Sequence, residues 1–140
     1  MTSKSEAIFF PELSLTGYEP ELAKKLATNQ NDNRMNIFQQ ISNNNKIIIG
    51  IGLPTATESK IRISMVIFEA NKPRQTYSKQ QLHSDEFPYF ENGVGQVIIK
   101  TNDKNIAPAI CYESLQPIHS ENAFKLGANV YIASVAKPAK

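Results

Sequence analysis

Residues 105–114 constrain the fold most, because they join an apolar segment to the only cysteine of the chain. Residues 106–110 form a short apolar run, which predicts a strand buried inside a sheet. Cys111 stands at the carboxyl end of this strand, before a polar turn and a helical pattern at residues 118–126. Ligands of α/β sheets bind at the carboxyl ends of strands, so this position suits a thiol nucleophile. A buried structural cysteine is the alternative interpretation.

Apolar runs and helical spacings alternate along the rest of the chain, which predicts an α/β protein. We expect strands at residues 7–10, 46–53, 61–69, 75–77 and 129–134, and helices at residues 19–27 and from Met35 to about Asn44. Residues 96–100 and 105–110 are typical of a hairpin. Residues 46–53 are too apolar on both faces for an exposed edge strand.

Length and composition exclude several classes of protein. At 140 residues the chain has the length of one domain, and its formal net charge of +2 is too small to indicate a nucleic acid or an acidic membrane as partner. One cysteine allows no internal disulfide, and with two distant histidines we expect no metal site. No run approaches the ~20 apolar residues of a membrane helix, and no signal peptide is visible. A cytoplasmic protein is therefore expected.

Three polar side chains follow three separate apolar strands: Glu12, Lys79 and Cys111. Together they are suited to one reaction. A carboxylate can take the thiol proton and return it to a leaving amine, which is general base and then general acid catalysis. A lysine ammonium can stabilise the thiolate and the oxyanion that forms when sulfur attacks a carbonyl or nitrile carbon. The resulting thioester or thioimidate is then hydrolysed.

Three short segments carry a family resemblance. Residues 10–18 (FPELSLTGY) resemble the first signature of the carbon–nitrogen hydrolase (nitrilase) superfamily. Residues 77–82 (YSKQQL) resemble the second signature and residues 109–114 (AICYES) the third, in family order. The resemblance implies a triad of Glu12 as base, Lys79 as oxyanion stabiliser and Cys111 as nucleophile. It implies hydrolysis of a small-molecule amide, or less favourably a nitrile, without metal or cofactor.

The resemblance also implies supporting groups around this triad. A second glutamate in the loop after the lysine orients the lysine and the substrate; Glu86 is the best match and Asp85 its competitor. The backbone N–H of Tyr112 would be the second oxyanion donor. A nucleophilic thiol also leads us to expect a depressed pKa for Cys111 in an assembled site.

Other polar and aromatic residues have less specific expectations. Glu113 is expected to be a structural or rim carboxylate rather than a catalyst, because the base is already assigned. His83 and His119 are expected to be exposed residues of a loop and a helix. Tyr18 and Phe90 either line a pocket or simply pack beside the loops.

A domain of this family is about twice as long and forms a four-layer αββα sandwich. The resemblance therefore implies that residues 1–140 form a partial nitrilase-like domain, about the first half, without the first strand and the second sheet. Such a chain would have an unpaired edge beside residues 7–10 and uncovered strands at residues 47–53 and 130–134. We accordingly expect a homo-oligomer or a complementing chain, and aggregation of the isolated chain. A non-catalytic remnant or interaction module is the alternative function.

Overall fold

The structure is a computed structural model that describes residues 4–136. The strands of this part are β1 (Ala7–Phe9), β2 (Ile48–Ala56), β3 (Ile61–Phe68), β4 (Gln75–Ser78), β5 (Ile99–Lys100), β6 (Asn105–Ile110) and β7 (Val130–Ser134). Its α-helices are α1 (Ala23–Leu26), α2 (Asn36–Asn45) and α3 (Pro117–Lys125), and 3-10 turns occupy Pro20–Leu22, Asn33–Met35 and Cys111–Leu115. None of these helices is long and apolar enough to cross a membrane.

The first sheet has the strand order β1-β2-β3-β4, with β1 parallel to β2 and the other pairs antiparallel. Strand β2 is interior and every residue except Ala56 is buried, which confirms the expectation of a non-edge strand. It begins after the predicted start because Lys46 adopts a left-handed conformation (φ 52°) that ends α2. Residues 46 and 47 are therefore needed for the turn and not for the strand.

The second sheet has the order β5-β6-β7. Strands β5 and β6 are antiparallel, which confirms the hairpin, although β5 is only two residues long. Strands β6 and β7 are parallel and are connected through α3, a strand–helix–strand crossover. Gly127, with φ 93°, lies between α3 and β7, where a glycine relieves the strain of a left-handed backbone.

One apolar cluster joins the two sheets face to face. It contains Ile63, Met65 and Ile67 of β3 and Ile99, Ile106 and Ile110 of β5 and β6. A second cluster covers the opposite face of the first sheet with Met35 and helix α2, and contains Ile49, Ile51, Leu53, Val66 and Phe68. Burial of each such side chain stabilises the fold by roughly 1.5–3 kcal/mol. The layers are thus helix, sheet and sheet.

The second sheet corrects one expectation. Residues 47–53 were expected to lack a covering layer, but β2 is buried on both faces because the second sheet packs on one side and α2 on the other. Strand β7 is half-exposed, with Ala133 open to solvent, and β1 lies at a sheet edge with Ile8 42% exposed. The expected lack of a covering layer therefore applies to the edge strands β1 and β7 and not to the interior strand β2.

Candidate active site

Glu12, Lys79 and Cys111 come from three different elements and lie together. Each follows a strand directly or within a few residues: Glu12 follows β1, Lys79 follows β4 and Cys111 follows β6. Lys79 Nζ is 2.8 Å from Glu12 Oε1, and both side chains are almost completely buried. The Cys111 thiol is close enough to both groups for each of them to shift its pKa. The structure therefore places the three predicted residues in one cluster.

A second carboxylate completes the environment of the lysine. Lys79 Nζ is also 2.8 Å from Glu86 Oε1, which accepts a further hydrogen bond from the Tyr18 hydroxyl at 3.0 Å. The His83 N–H donates to Glu86 Oε2 at 2.9 Å. Asp85 points to solvent and pairs with the exposed His83 ring. Of the two acidic candidates, Glu86 is therefore the one that contacts Lys79, and His83 is exposed as expected.

The buried charges compensate one another. Burial by itself would lower the pKa of Lys79, but the neighbouring Glu12 and Glu86 outweigh it and the pKa is raised. Burial raises the pKa of Glu12, and the Lys79 ammonium offsets this only in part. Among the described residues Glu12 Oε2 has no hydrogen-bond partner. The result is a protonated lysine beside the buried side chain of Glu12, which also interacts with the Cys111 thiol.

Cys111 has an unusual backbone conformation and a thiol with a raised pKa. Its φ is 49°, a left-handed value that is strained for a residue with a side chain, and it begins the 3-10 turn Cys111–Leu115. Burial and then the negative charge of Glu12 raise the pKa of the thiol to about 11, against the lowering influence of Lys79. The single chain thus shows a raised pKa, whereas the depressed pKa was expected for an assembled site and stays a prediction for that site.

Tyr112 is the second residue of the 3-10 turn. Backbone N–H groups in the first turn of a helix have no acceptor within that helix, so they are suited to bind an anion beside the nucleophile. The Tyr112 ring packs edge-on against His83, with ring centroids 5.2 Å apart. The turn is thus joined to the loop that contains Glu86.

Two glycines allow the backbone to hold the acidic and basic residues close to the sheets. A Cβ at Gly52 would lie 2.5 Å from Leu13 N, and Leu13 itself has φ 52°. A Cβ at Gly93 would overlap the backbone of Ser78, directly before Lys79. Neither contact leaves room for a side chain, since the opposing atoms belong to the backbone.

The sequence did not reveal a buried polar network next to the nucleophile. Glu113 is fully buried, as befits the expected structural carboxylate, and accepts hydrogen bonds from the Tyr77 hydroxyl. His119 is 3% exposed, so the expectation of a solvent-exposed histidine is wrong. The His119 ring lies between the hydroxyls of Tyr77 and Tyr131, each 2.7 Å from one ring nitrogen. These partners are far apart in sequence, and no local pattern pairs them.

The two aromatic candidates, Tyr18 and Phe90, differ in their exposure to solvent. Phe90 is 4% exposed and belongs to the core between the sheets, and it also forms part of the wall of a surface pocket beside Pro20 and Ile61. Tyr18 is 39% exposed and its hydroxyl contacts Glu86. Residues 4–136 include no group of three or more His, Cys, Asp or Glu side chains placed to hold a metal ion.

Comparison with known proteins places this arrangement in a family. The family model described as carbon-nitrogen hydrolase matches residues 1–139. The chain belongs to the carbon–nitrogen hydrolase family. Both this match and the layered fold confirm the expectation of an α/β nitrilase-like domain.

The relatives are longer than this chain. A glutamine-dependent NAD(+) synthetase of Aquifex aeolicus is 27% identical over 144 residues, which cover 98% of this chain and 25% of the relative. The solved amidase of Nesterenkonia sp. AN1 superposes with a TM-score of 0.82 at 18% identity, over 96% of this chain and 55% of the amidase. In that structure acrylamide is bonded to the active-site cysteine of the amidase. A glutamine-dependent NAD+ synthetase of Acinetobacter baumannii gives a TM-score of 0.78 at 21% identity, over 96% and 26% of the two chains.

Proposed function

We propose that this chain carries the Glu12–Lys79–Cys111 site of a hydrolase that cleaves the non-peptide carbon–nitrogen bond of a small amide. The observation that carries the proposal is the position of Lys79. Its buried ammonium is 2.8 Å from two carboxylates, and its positive charge partly offsets the rise in the pKa of the nearby Cys111 thiol. A buried cation between two carboxylates is costly unless its geometry is good. Its placement beside a lone thiol supports a catalytic use.

The first step is attack by sulfur. The free oxygen of Glu12 takes the thiol proton as the Cys111 sulfur bonds to the amide carbonyl carbon. The resting thiol, with a pKa of about 11, requires such a base. An ammonium has three N–H donors, and Lys79 directs two at carboxylates. The third is therefore assigned to the oxyanion, together with the Tyr112 N–H.

The second step releases the amine and restores the thiol. The carbon–nitrogen bond breaks as Glu12 returns its proton to the leaving nitrogen, which leaves an acyl thioester on Cys111. Glu12, again a carboxylate, takes a proton from a water molecule that attacks the thioester carbonyl. Collapse of this second oxyanion breaks the carbon–sulfur bond, and the thiolate recovers its proton from Glu12. The products are a carboxylic acid and ammonia or an amine.

An amide substrate is favoured over a nitrile. The matched relatives are amidases and glutamine-dependent synthetases, so glutamine and short aliphatic amides are the first probes. Glu86 orients the lysine in this proposal, because it contacts Lys79 and is fixed by the Tyr18 hydroxyl.

A second candidate function is an interaction module that pairs with another copy or with a complementing chain. Large apolar side chains are exposed after the nucleophile, with Leu115 73% and Phe124 78% exposed. The chain also spans only about half the length of the matched amidase. We propose that in this second function the exposed apolar face is covered by the partner in the assembled, cytoplasmic protein, which is then not catalytic.

Ammonia release distinguishes the two functions. The purified chain is incubated with glutamine, acetamide and propionamide, and compared with the variants Cys111→Ala and Glu12→Gln. We expect release by the wild type and loss of at least about 100-fold in either variant, as is usual when a nucleophile or its base is removed. A folded chain that releases no ammonia in any oligomeric state would favour the interaction module.

A further inference from the structure

Glu113 is a fully buried carboxylate two residues after Cys111. In the part of the chain that the structure describes, its nearest basic group is His119, whose Nε2 is 3.5 Å from Glu113 Oε2. Burial lowers the pKa of His119, so this ring is neutral. A buried carboxylate without a cationic partner requires strong hydrogen bonds from neutral donors. The residues that supply these donors indicate the role of Glu113.

The donors come from both sides of the candidate active site. Glu113 Oε2 accepts the N–H of Ile110 at 2.7 Å, and Ile110 is the last residue of β6, directly before Cys111. Glu113 Oε1 accepts the N–H of Gln80, the residue directly after Lys79. One carboxylate thus binds the backbone of the nucleophile turn and the backbone of the lysine segment.

A hydrogen-bonded chain behind the carboxylate holds it in place. Because His119 is neutral, one orientation satisfies all the groups: the Tyr131 hydroxyl donates to His119 Nδ1, and His119 Nε2–H donates to the Tyr77 oxygen. The Tyr77 hydroxyl then donates to Glu113, whose two oxygens are 2.8 and 2.9 Å away. This assignment leaves Glu113 with no freedom to change rotamer without breaking several hydrogen bonds.

We propose that Glu113 is a positioning residue that fixes the spacing between Cys111 and Lys79. These two residues follow strands of different sheets, and no strand pairing joins the two sheets among the described residues. Apolar packing between sheets does not specify position as closely as hydrogen bonds do. The inference rests on the proposed function, because the roles of the thiol and the ammonium make their spacing important. Glu113 itself is 0% exposed and acts through those two residues.

The test uses Glu113→Asp in the full chain, with hydrogen exchange and thiol alkylation as readouts. Aspartate keeps the charge but is one methylene shorter. We expect it to keep the hydrogen bond from the Ile110 N–H, three residues away in the same turn, and to lose the bond from the distant Gln80 N–H. We expect at least a tenfold loss of exchange protection at the Gln80 amide and little change at Ile110. Loss of the Gln80 hydrogen bond should displace the neighbouring Lys79, which then no longer lowers the pKa of the Cys111 thiol. A rise of about one pKa unit reduces the thiolate fraction tenfold, so iodoacetamide should alkylate Cys111 about tenfold more slowly.

Glu69→Asp is the matched control. Glu69 is also buried and binds Lys72 and Gln75. It directly follows the carboxyl end of β3, whereas Lys79 lies beside the other end of this strand. The Glu69→Asp variant should therefore leave Gln80 exchange and Cys111 alkylation unchanged. If Glu113→Asp folds and both readouts match the wild type, the positioning role is overturned.

The wild type alone gives a second test, which applies even if the variant fails to fold. Gln80 lies outside the strands, and within residues 4–136 its amide N–H donates to Glu113 and to no other acceptor. Exchange at the rate of an exposed loop amide would overturn the inference. Neither readout requires hydrolysis, so a chain that shows the expected protection and alkylation but hydrolyses no amide contradicts only the proposed function. An active chain with unprotected Gln80 contradicts only the role of Glu113.

Discussion

Removal of the buried lysine should destabilise the fold strongly. In Lys79→Met the side chain keeps a similar length but loses its charge, and Glu12 and Glu86 remain behind. The side chains of these two glutamates are 1% and 3% exposed, so water cannot replace the ammonium. Breaking a buried pair by removing one partner costs about 3–5 kcal/mol. That is a large fraction of a typical stability of about 5–15 kcal/mol.

The loss should depend on pH in a defined direction. Burial already raises the pKa of Glu12 above its ordinary value of 4.5 while Lys79 is present, and without the ammonium it rises further. A carboxyl group with a raised pKa in the folded state binds a proton more tightly there than in the unfolded chain. Its protonation therefore supports the fold below pH 4.5, and this support is lost as pH rises through the folded-state pKa. The deficit of Lys79→Met relative to the wild type should thus be larger at pH 7 than at pH 4.

Urea unfolding at both pH values measures this deficit. With a slope of about 2 kcal/mol per molar urea, the midpoint at pH 7 should fall by roughly 2 M. Lys72→Met is the control, because Lys72 pairs with Glu69 but its side chain is 55% exposed, and such pairs contribute about 0–1 kcal/mol. The double variant Glu12→Gln with Lys79→Met should recover part of the loss at pH 7. Equal, small and pH-independent losses in Lys79→Met and Lys72→Met would refute the compensation of buried charges described above.

Three further predictions follow from particular contacts. Gly52→Ala should destabilise the chain by about 1–3 kcal/mol in thermal unfolding, because its Cβ would collide with the Leu13 backbone; an unchanged melt contradicts the close approach. Alkylation of Cys111 by iodoacetamide should accelerate about tenfold per pH unit up to a pKa of about 11, and a plateau near pH 8 would contradict the raised pKa. The chain should sediment as concentration-dependent oligomers, and Phe124→Glu should shift them toward monomer. Asn122→Glu should not, because the exposed Asn122 lies on a different face of α3; identical sedimentation of both variants contradicts an apolar interface.

Much of the fold follows from local patterns. The strands at residues 46–53 and 106–110 were predicted because continuous apolar runs suit interior strands, and the helix before Gly127 because its apolar spacing and its terminal glycine agree. The assembly of two sheets was not predicted. Whether β6 joins β3 or forms a separate layer depends on contacts between residues distant in sequence, and β5 is too short to produce a pattern.

The candidate site was predictable in its charged and nucleophilic residues but not in its electrostatics. Glu12, Lys79 and Cys111 were located because each follows a strand and because the segments around them resemble the three family signatures. Asp85 and Glu86 are adjacent and chemically alike, so only the structure shows which one turns inward. The raised pKa of Cys111 was missed because it arises from burial and from the nearness of Glu12.

The buried network was missed for a similar reason. His119 occupies a helix of ordinary polar composition, and its burial depends on Tyr77 and Tyr131, which belong to different sheets. Glu113 could be assigned a structural role from sequence, but only the structure shows that it links the segments that carry Lys79 and Cys111.

Trapping the acyl intermediate tests the proposed chemistry most directly. The folded chain is mixed with an amide such as propionamide, quenched in acid within the first turnovers and weighed intact by mass spectrometry, with Cys111→Ala as control. We expect a mass increase equal to the acyl group of the substrate, located on the peptide that contains Cys111 and absent from the variant. Ammonia release that persists in Cys111→Ala, without any adduct on the wild-type cysteine, would contradict a covalent mechanism at this site.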